Sequence, residues 1–549
     1  MADGAQMFII NYLVPGIQAE MCLQESKVIC ISMVTLVGLM FGSLLCTLAD
    51  HVGRKTLLVV ALVLHLLFNI SAAFTPTFGV FVTARFGSAL GLGICYPVAY
   101  IYFMEFLPHA ARHRCSILML FWALGGAYAL SLAYFLLPQN GEAVVKEASE
   151  EHNNSWHRVL LLSSVPGVLA LASLLCTSES ARYLLNAGKD VDAIMVYQQM
   201  YKWNASRSAQ YQLTELELPS KPAPTLSSKH SPPKSVWGNM CANIATFFQS
   251  IRQLGQRTNL IAIVLLSMVW SSLGYSYYGM SVWVPARIQW LKDSEYKAKA
   301  ELIRDTEEYG RLYTTSLVNT VYSNVTFRSC TFAHITLVHV TFQGSTFENV
   351  EFTNILSSKT YFIDSVIENS RFIDTDLTSD HFIGCEMVNN TMMSFEGECR
   401  TDLDFANQLH DIFLKENIIR VVCPFVALAL NAILIHKLKK INVAVASMLF
   451  CSLTCLLILM LYTELALLAF DTYWSLIFVF AFNAVNIIST EVFPVNVRAT
   501  GFGFVFYFFR VFGLNGVITF GSHVGGGVST LLVGGIALFR MPDTSSNLM

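Results

Sequence analysis

Charge is what this sequence has least of. Aspartate, glutamate, lysine and arginine make up 13% of its 549 residues, against roughly 25% in a soluble globular chain. Acids and bases nearly cancel, 38 against 35, which leaves a net charge of -3. No basic field is present to gather phosphates, so a nucleic-acid partner is excluded. Disorder is excluded by a hydrophobic fraction of 54%. Cysteine is sparse as well: 13 in so long a chain are too dilute for a disulfide framework. Enzyme signatures are missing, with no phosphate loop, no H-E-x-x-H and no cysteine–histidine metal spacing. No catalytic role, cofactor or metal is expected.

What the chain has in quantity is apolar length, which makes the lipid bilayer its first partner. A spanning helix needs about 20 mostly apolar residues. Such stretches lie at 28–49, 57–74, 78–104, 115–137, 159–176, 260–284, 418–435, 441–462, 466–490, 500–520 and 524–540. Residues 1–16 are apolar but too short to cross at about 1.5 Å per residue, and read as part of a truncated first span. They lack the basic region and cleavage site of a signal peptide. Basic residues of the short loops set the orientation. Arg54, Lys55, Arg112, Arg114, Lys437, Lys439, Lys440 and Arg498 fall on one side, and little beyond Lys27 and Lys146 on the other. The basic side is cytoplasmic, so residues 287–417 are lumenal. The expected organisation is an N-terminal half at 1–185, a cytoplasmic loop at 186–257, span seven at 258–286, a lumenal domain at 287–417 and spans eight to twelve at 418–549.

Two motifs repeat six spans apart. Glu105-Phe-Leu-Pro108-His-Ala-Ala-Arg112 closes the fourth span and Glu491-Val-Phe-Pro494-Val-Asn-Val-Arg498 closes the tenth. Both read E-x-x-P-x-x-x-R on the cytoplasmic side. That duplication resembles the parallel repeat of major facilitator transporters, two six-helix halves of one plan. Asp50-His51-Val52-Gly53-Arg54-Lys55 follows the second span and Ser178-Glu179-Ser180-Ala181-Arg182 the sixth, both similar to loops of that superfamily. Met541-Pro542-Asp543-Thr544 is similar to the close of its last span. Arg85 with Gly91 and Gly93 opens the fourth span. Asp50, Arg54, Arg85, Glu105, Arg112, Glu179, Arg182, Glu491 and Arg498 are the expected cytoplasmic gate, ion pairs that break when the halves rock. The plainer alternative is anchoring by basic residues alone.

The lumenal segment has a period of five. Stepping from Phe327 to Met392 meets a large apolar residue at every position except Ser357. Two residues before each stand mostly small or β-branched side chains, such as Val325, Cys330 and Ser345. Five matches neither a helix at 3.6 nor a strand at 2. It matches a square β-solenoid over 322–394, four repeats per coil, with about 4.8 Å of rise per coil. Such a shape suits display or binding and offers no catalytic pocket. Cys330 and Cys385 stand eleven repeats apart, about 13 Å by that rise, too far for a disulfide. Cys22 and Cys399 are the other lumenal cysteines, and the spacing neither demands nor forbids a bond between them. The sequons at Asn324 and Asn389 fall on the solenoid and point outward, as glycan acceptors should. Asn69 lies in a span, Asn204 in the cytosol and Asn153 close to the membrane.

A facilitator body with a pentapeptide-repeat domain between spans seven and eight resembles the synaptic vesicle glycoprotein 2 family. Met1-Ala2-Asp3-Gly4, Phe121-Trp122-Ala-Leu-Gly125-Gly126, Tyr277-Tyr278-Gly279 and Trp283-Val-Pro285 carry the resemblance together with the repeats. It implies an all-α multi-pass body of two six-helix halves with an inserted right-handed quadrilateral β-solenoid. It also implies a glycosylated synaptic or secretory vesicle protein that regulates calcium-triggered exocytosis. The partners it implies are a synaptotagmin-like vesicle protein and, at the lumenal domain, a botulinum neurotoxin. The chain departs from the family pattern in three places. Its N-terminal region is short, the second basic loop reads His436-Lys437-Leu-Lys439-Lys440, and the acids expected at Gln6 and Asn486 are gone. These losses argue against a proton-coupled cycle.

Ionisable groups inside a membrane are costly and face a cavity. Asp3 and Arg510, one in each half, are therefore the candidates for a solute site or for a direct ion pair. Trp122, Tyr128, Tyr275, Tyr278 and Asn483 are the expected stacking and hydrogen-bonding groups around a small polar solute. Two functions follow: a vesicle glycoprotein acting through partners, or a secondary transporter of a sugar-like or other polar solute.

Overall fold

The computed structural model describes residues 1–150, 154–204, 254–255, 257–393, 403–405, 418–458, 460–521 and 524–540. Cys399, most of the cytoplasmic loop and the Met541–Thr544 motif lie outside them. Helices occupy all twelve span positions, and nine of those described are long and apolar enough to cross a bilayer. The first span runs from Ala2 to Met21, 20 residues rather than the sixteen apolar ones. Its polar end is absorbed by protein: Glu20 accepts hydrogen bonds from the Trp156 indole at 2.7 Å and His157 Nε2 at 3.1 Å. Gly4 and Gly125 allow spans one and five to touch, since a Cβ on Gly4 would stand 2.1 Å from the Trp122 carbonyl. The sixth span is broken into Ser155–Leu162 and Val165–Leu175, with Pro166 starting the second piece.

The seventh span does not stop at the membrane. Arg257–Ala298 is a single helix of 42 residues, about 63 Å long, and its last turns lead directly into the solenoid. Strands then run from Glu301 to Met393, all paired in parallel. Successive coils align at twenty residues: Val321 faces Thr341, and Phe347 faces Phe327 and Ile367. The rings stack coil on coil, Phe332 on Phe352 at 4.9 Å and Phe352 on Phe372 at 4.7 Å. Phe327, Phe332, Phe342, Phe347, Phe352 and Phe362 are fully buried, whereas Met387 and Met392 are exposed in the last coil. Most corners take a left-handed residue, among them Asn324, Asn349, Asp364 and Asn389, where Asn and Asp cost least. The domain begins earlier than position 322, because a further coil starts at Glu301.

Cys330 and Cys385 are free. Cys22 is disulfide-bonded, while ten other described cysteines are free. The solenoid rests on the body through residues 403–405. Asp404 bonds His339 at 2.9 Å and Lys359 at 3.3 Å, and its carbonyl lies so close to Gly141 that a Cβ there would stand 2.7 Å away.

Candidate functional site

Two sites meet at the boundary of the halves. The first, where the gate is expected, is a charged cluster at the cytoplasmic ends of the helices, built on Asp50. Its carboxylate pairs with Arg54 at 3.0 Å within the N-terminal half. It also accepts from the Thr500 N–H at 2.8 Å and hydroxyl at 2.9 Å at the start of the eleventh span. The Thr500 N–H is an orphan amide of a helix N-terminus, where a carboxylate is favoured. Arg54 donates across the same boundary to the Val495 carbonyl at 2.9 Å. Glu105 lies 3.4 Å from Arg54 and 3.5 Å from Arg498 of the other half, and it accepts from the Ser180 hydroxyl.

The duplicated motifs therefore cross over. Glu105 of one copy holds Arg498 of the other, and Arg112 lies in the attractive field of Glu491, which Lys440 holds at 2.7 Å. Pro108 and Pro494 shape both copies alike, with φ and ψ of -65° and 156° against -64° and 155°. Glu179 caps the third span by accepting from the N–H groups of Arg54 and Lys55, each at 3.0 Å. Gly53 makes room for it: φ is 114°, and a Cβ would stand 2.6 Å from Glu179 Oε2. Among the described residues Arg112 and Arg182 form no ion pair.

Arg85 is not part of this gate. It sits near the start of the fourth span, Phe78–Glu105, and Glu105 ends that span twenty residues on, about 30 Å away. Its guanidinium donates to Gln6 Oε1 at 3.1 Å and Asn69 Oδ1 at 2.8 Å. Gln6 in turn donates to Ser163 at 2.8 Å. This network is internal to the N-terminal half, and the helical rise places it towards the lumen.

The second site is a cavity of about 60 Å³ between the halves, lined by Asp3, Trp122, Tyr278 and Arg510 together with aromatic and methionine side chains. Arg510 donates to the Tyr278 hydroxyl and lies over the Phe506 and Phe509 rings at 5.1 and 5.3 Å. Asp3 and Arg510 do not form an ion pair, although both reach the void. Three expected members lie elsewhere. Tyr128 donates to the Leu162 carbonyl at 2.8 Å and packs on the sixth span. Tyr275 meets Thr519 at 3.2 Å and Phe520, away from the void. Asn483 is fully buried but does not line the cavity. Sequence reasoning missed Tyr96, which stacks on Phe506 at 4.8 Å across the halves and accepts from Asn486 at 3.0 Å. Its place at the middle of a long apolar span was the available signal.

This arrangement, two helical halves enclosing a cavity over a charged cluster, defines a membrane protein of the major facilitator fold. The sugar transporter family model matches residues 9–280, and the model of the synaptic vesicle glycoprotein luminal domain matches 307–392. Human synaptic vesicle glycoprotein 2B is 26% identical over all of this chain and 82% of its own length. The rat protein of that name is 28% identical with the same coverage, and bovine synaptic vesicle glycoprotein 2A is 25% identical over 96% of this chain and 72% of its own. Among solved structures, a double-tryptophan variant of the xylose symporter XylE superposes with a TM-score of 0.56 at 14% identity, covering 98% of this chain and 92% of its own. A partially occluded, inward-open form of XylE from E. coli gives 0.52 at 13% identity, covering 100% and 96%. These likenesses show the fold. The chain belongs to the synaptic vesicle glycoprotein 2 family, a multi-pass vesicle-membrane protein with its solenoid in the lumen.

Proposed function

We propose that this chain binds a small polar solute in its central cavity and exposes it alternately to the two sides of the membrane. The observation that supports this most is the gate: Asp50, Arg54 and Glu105 close the cytoplasmic side through bonds to the opposite half, directly at the end of the helices that line the cavity. Reconstitution of the full chain in proteoliposomes tests the reading. Saturable uptake that Asp3→Asn and Arg510→Ala abolish is expected, and its absence for every solute tried, with and without a pH gradient, sinks it. Gln6 beside Arg85 leaves a neutral amide where the family pattern has an acid, so uptake should not depend on that gradient.

A second reading makes the chain a regulator of exocytosis through lumenal and cytosolic partners. The exposed flat faces of the solenoid and the outward Asn324 and Asn389 favour it, the two asparagines being glycan acceptors. Co-purification of the full chain with a synaptotagmin-like protein, or capture by a botulinum neurotoxin, tests it. Loss of both would remove it.

A further inference from the structure

The two charges on the cavity wall come from opposite halves and leave each other unsatisfied. Asp3 and Trp122 line the cavity together, and Asp3 Oδ1 is buried without a hydrogen-bond partner. Arg510 Nε is in the same condition. A buried charged group with an unsatisfied polar atom is expensive, and here one of each sign faces a single void. Among the described residues, no asparagine, glutamine, serine or threonine lines that void. A sugar carries hydroxyls around its whole ring and needs such groups on several sides, or it leaves polar atoms unpaired. An apolar, aromatic box with one anion and one cation asks for something else.

We propose that the cavity takes a small zwitterion of the amino-acid type with an apolar or aromatic body. This rests on the solute-binding reading above and narrows it. The ammonium group bonds Asp3 Oδ1 beside the Trp122 ring. The carboxylate takes the free Nε side of Arg510, whose planar guanidinium suits two-point contact. The body lies among Tyr277, Phe482 and Phe506, and the flexible Met7 and Met119 side chains yield to admit it. A ligand held by Asp3 and Arg510 at once ties the two halves together, so it binds best when they are closed around it.

The test is equilibrium binding to the purified full chain, read by calorimetry, with four probes. L-phenylalanine carries both charges, phenethylamine lacks the carboxylate, 3-phenylpropionate lacks the amine, and D-galactose lacks both. L-phenylalanine should bind at least ~10-fold more tightly than either single-charge analogue, the loss of one charge-assisted bond. Asp3→Asn should erase the difference between L-phenylalanine and 3-phenylpropionate. Arg510→Gln should erase that between L-phenylalanine and phenethylamine. Asp3→Glu should restore part of the preference, which separates lost chemistry from a misfolded variant. Tighter binding of D-galactose, equal binding of all three phenyl probes, or no binding of any would overturn the proposal. Zwitterion binding without uptake sinks transport and leaves this inference standing, whereas galactose uptake without zwitterion binding does the reverse.

Discussion

At the scale of single residues the cluster that joins the halves depends on groups that each do two jobs. Asp50 balances Arg54 within its own half and holds the start of the eleventh span in the other. Gly53 supplies a backbone conformation that L side chains rarely adopt, and its missing side chain is the space Glu179 occupies. Gly53→Ala should therefore cost about 1–3 kcal/mol and lower the thermal midpoint of the purified chain. A variant with unchanged melting would show that the loop relaxes. Much of this cluster was legible, because E-x-x-P-x-x-x-R occurs twice and a duplicated fold brings copies together about its pseudo-axis. The partners on Thr500 and Val495 were not, since backbone donors and acceptors leave no mark in composition. Arg85 misled for a related reason: a spacing pattern names a span but not the depth at which its charge sits.

The solenoid shows the same limits at the scale of an element. Its period was plain from Phe327 onward because each inward site holds a large apolar group. The first coil escaped because its inward sites are Ile303, Glu308, Tyr313 and Leu317, as their pairing with Tyr322, Phe327, Phe332 and Leu337 shows. One step there is four residues instead of five, and one site is a glutamate. The stacked rings share one core, so Phe352→Ala should destabilise the domain by about 3–5 kcal/mol. Hydrogen exchange on the full chain would detect this as faster exchange across neighbouring coils, and unchanged protection would contradict it. The contact of residues 403–405 with the solenoid makes a pH prediction. Burial raises the Asp404 carboxyl, but the His339 hydrogen bond and the Lys359 charge outweigh it and hold the group below its ordinary value. A depressed carboxylate contributes above the unfolded value of about 3.9 and its contribution fades only as pH falls through the lower folded value. Asp404 should thus remain ionised and seated between pH 7 and 5, and Asp404→Asn should loosen the segment equally across that range. A loosening confined to the acidic end would show that another group controls it.

The whole molecule is held in its cytoplasm-closed form by few bonds, and native cysteines stand where opening can be read. Cys115 is buried and packs with Met104 of its own half and Ile487 of the other, while Cys176 at the end of the sixth span is exposed. Glu105 sits between Arg54 and Arg498. Neutralising it leaves the Arg498 guanidinium buried without its carboxylate while Arg54 keeps Asp50, and breaking a buried pair in this way costs about 3–5 kcal/mol. That cost falls mainly on the closed form, because parting the halves carries Arg498 away from Glu105 and hydrates it. Half of it shifts the closed-to-open ratio more than ~10-fold, at about 1.4 kcal/mol per factor of ten. Glu105→Gln should therefore speed maleimide labelling of Cys115 by at least that factor, with Cys176 labelling unchanged as the internal reference. If Cys115 in the variant labels no faster than in the parent chain, the cross-half contacts are structural ties and the halves do not rock about them. A proportional rise at both cysteines would instead mean that the cytoplasmic end has loosened generally, which the Asp50–Thr500 bonds should prevent.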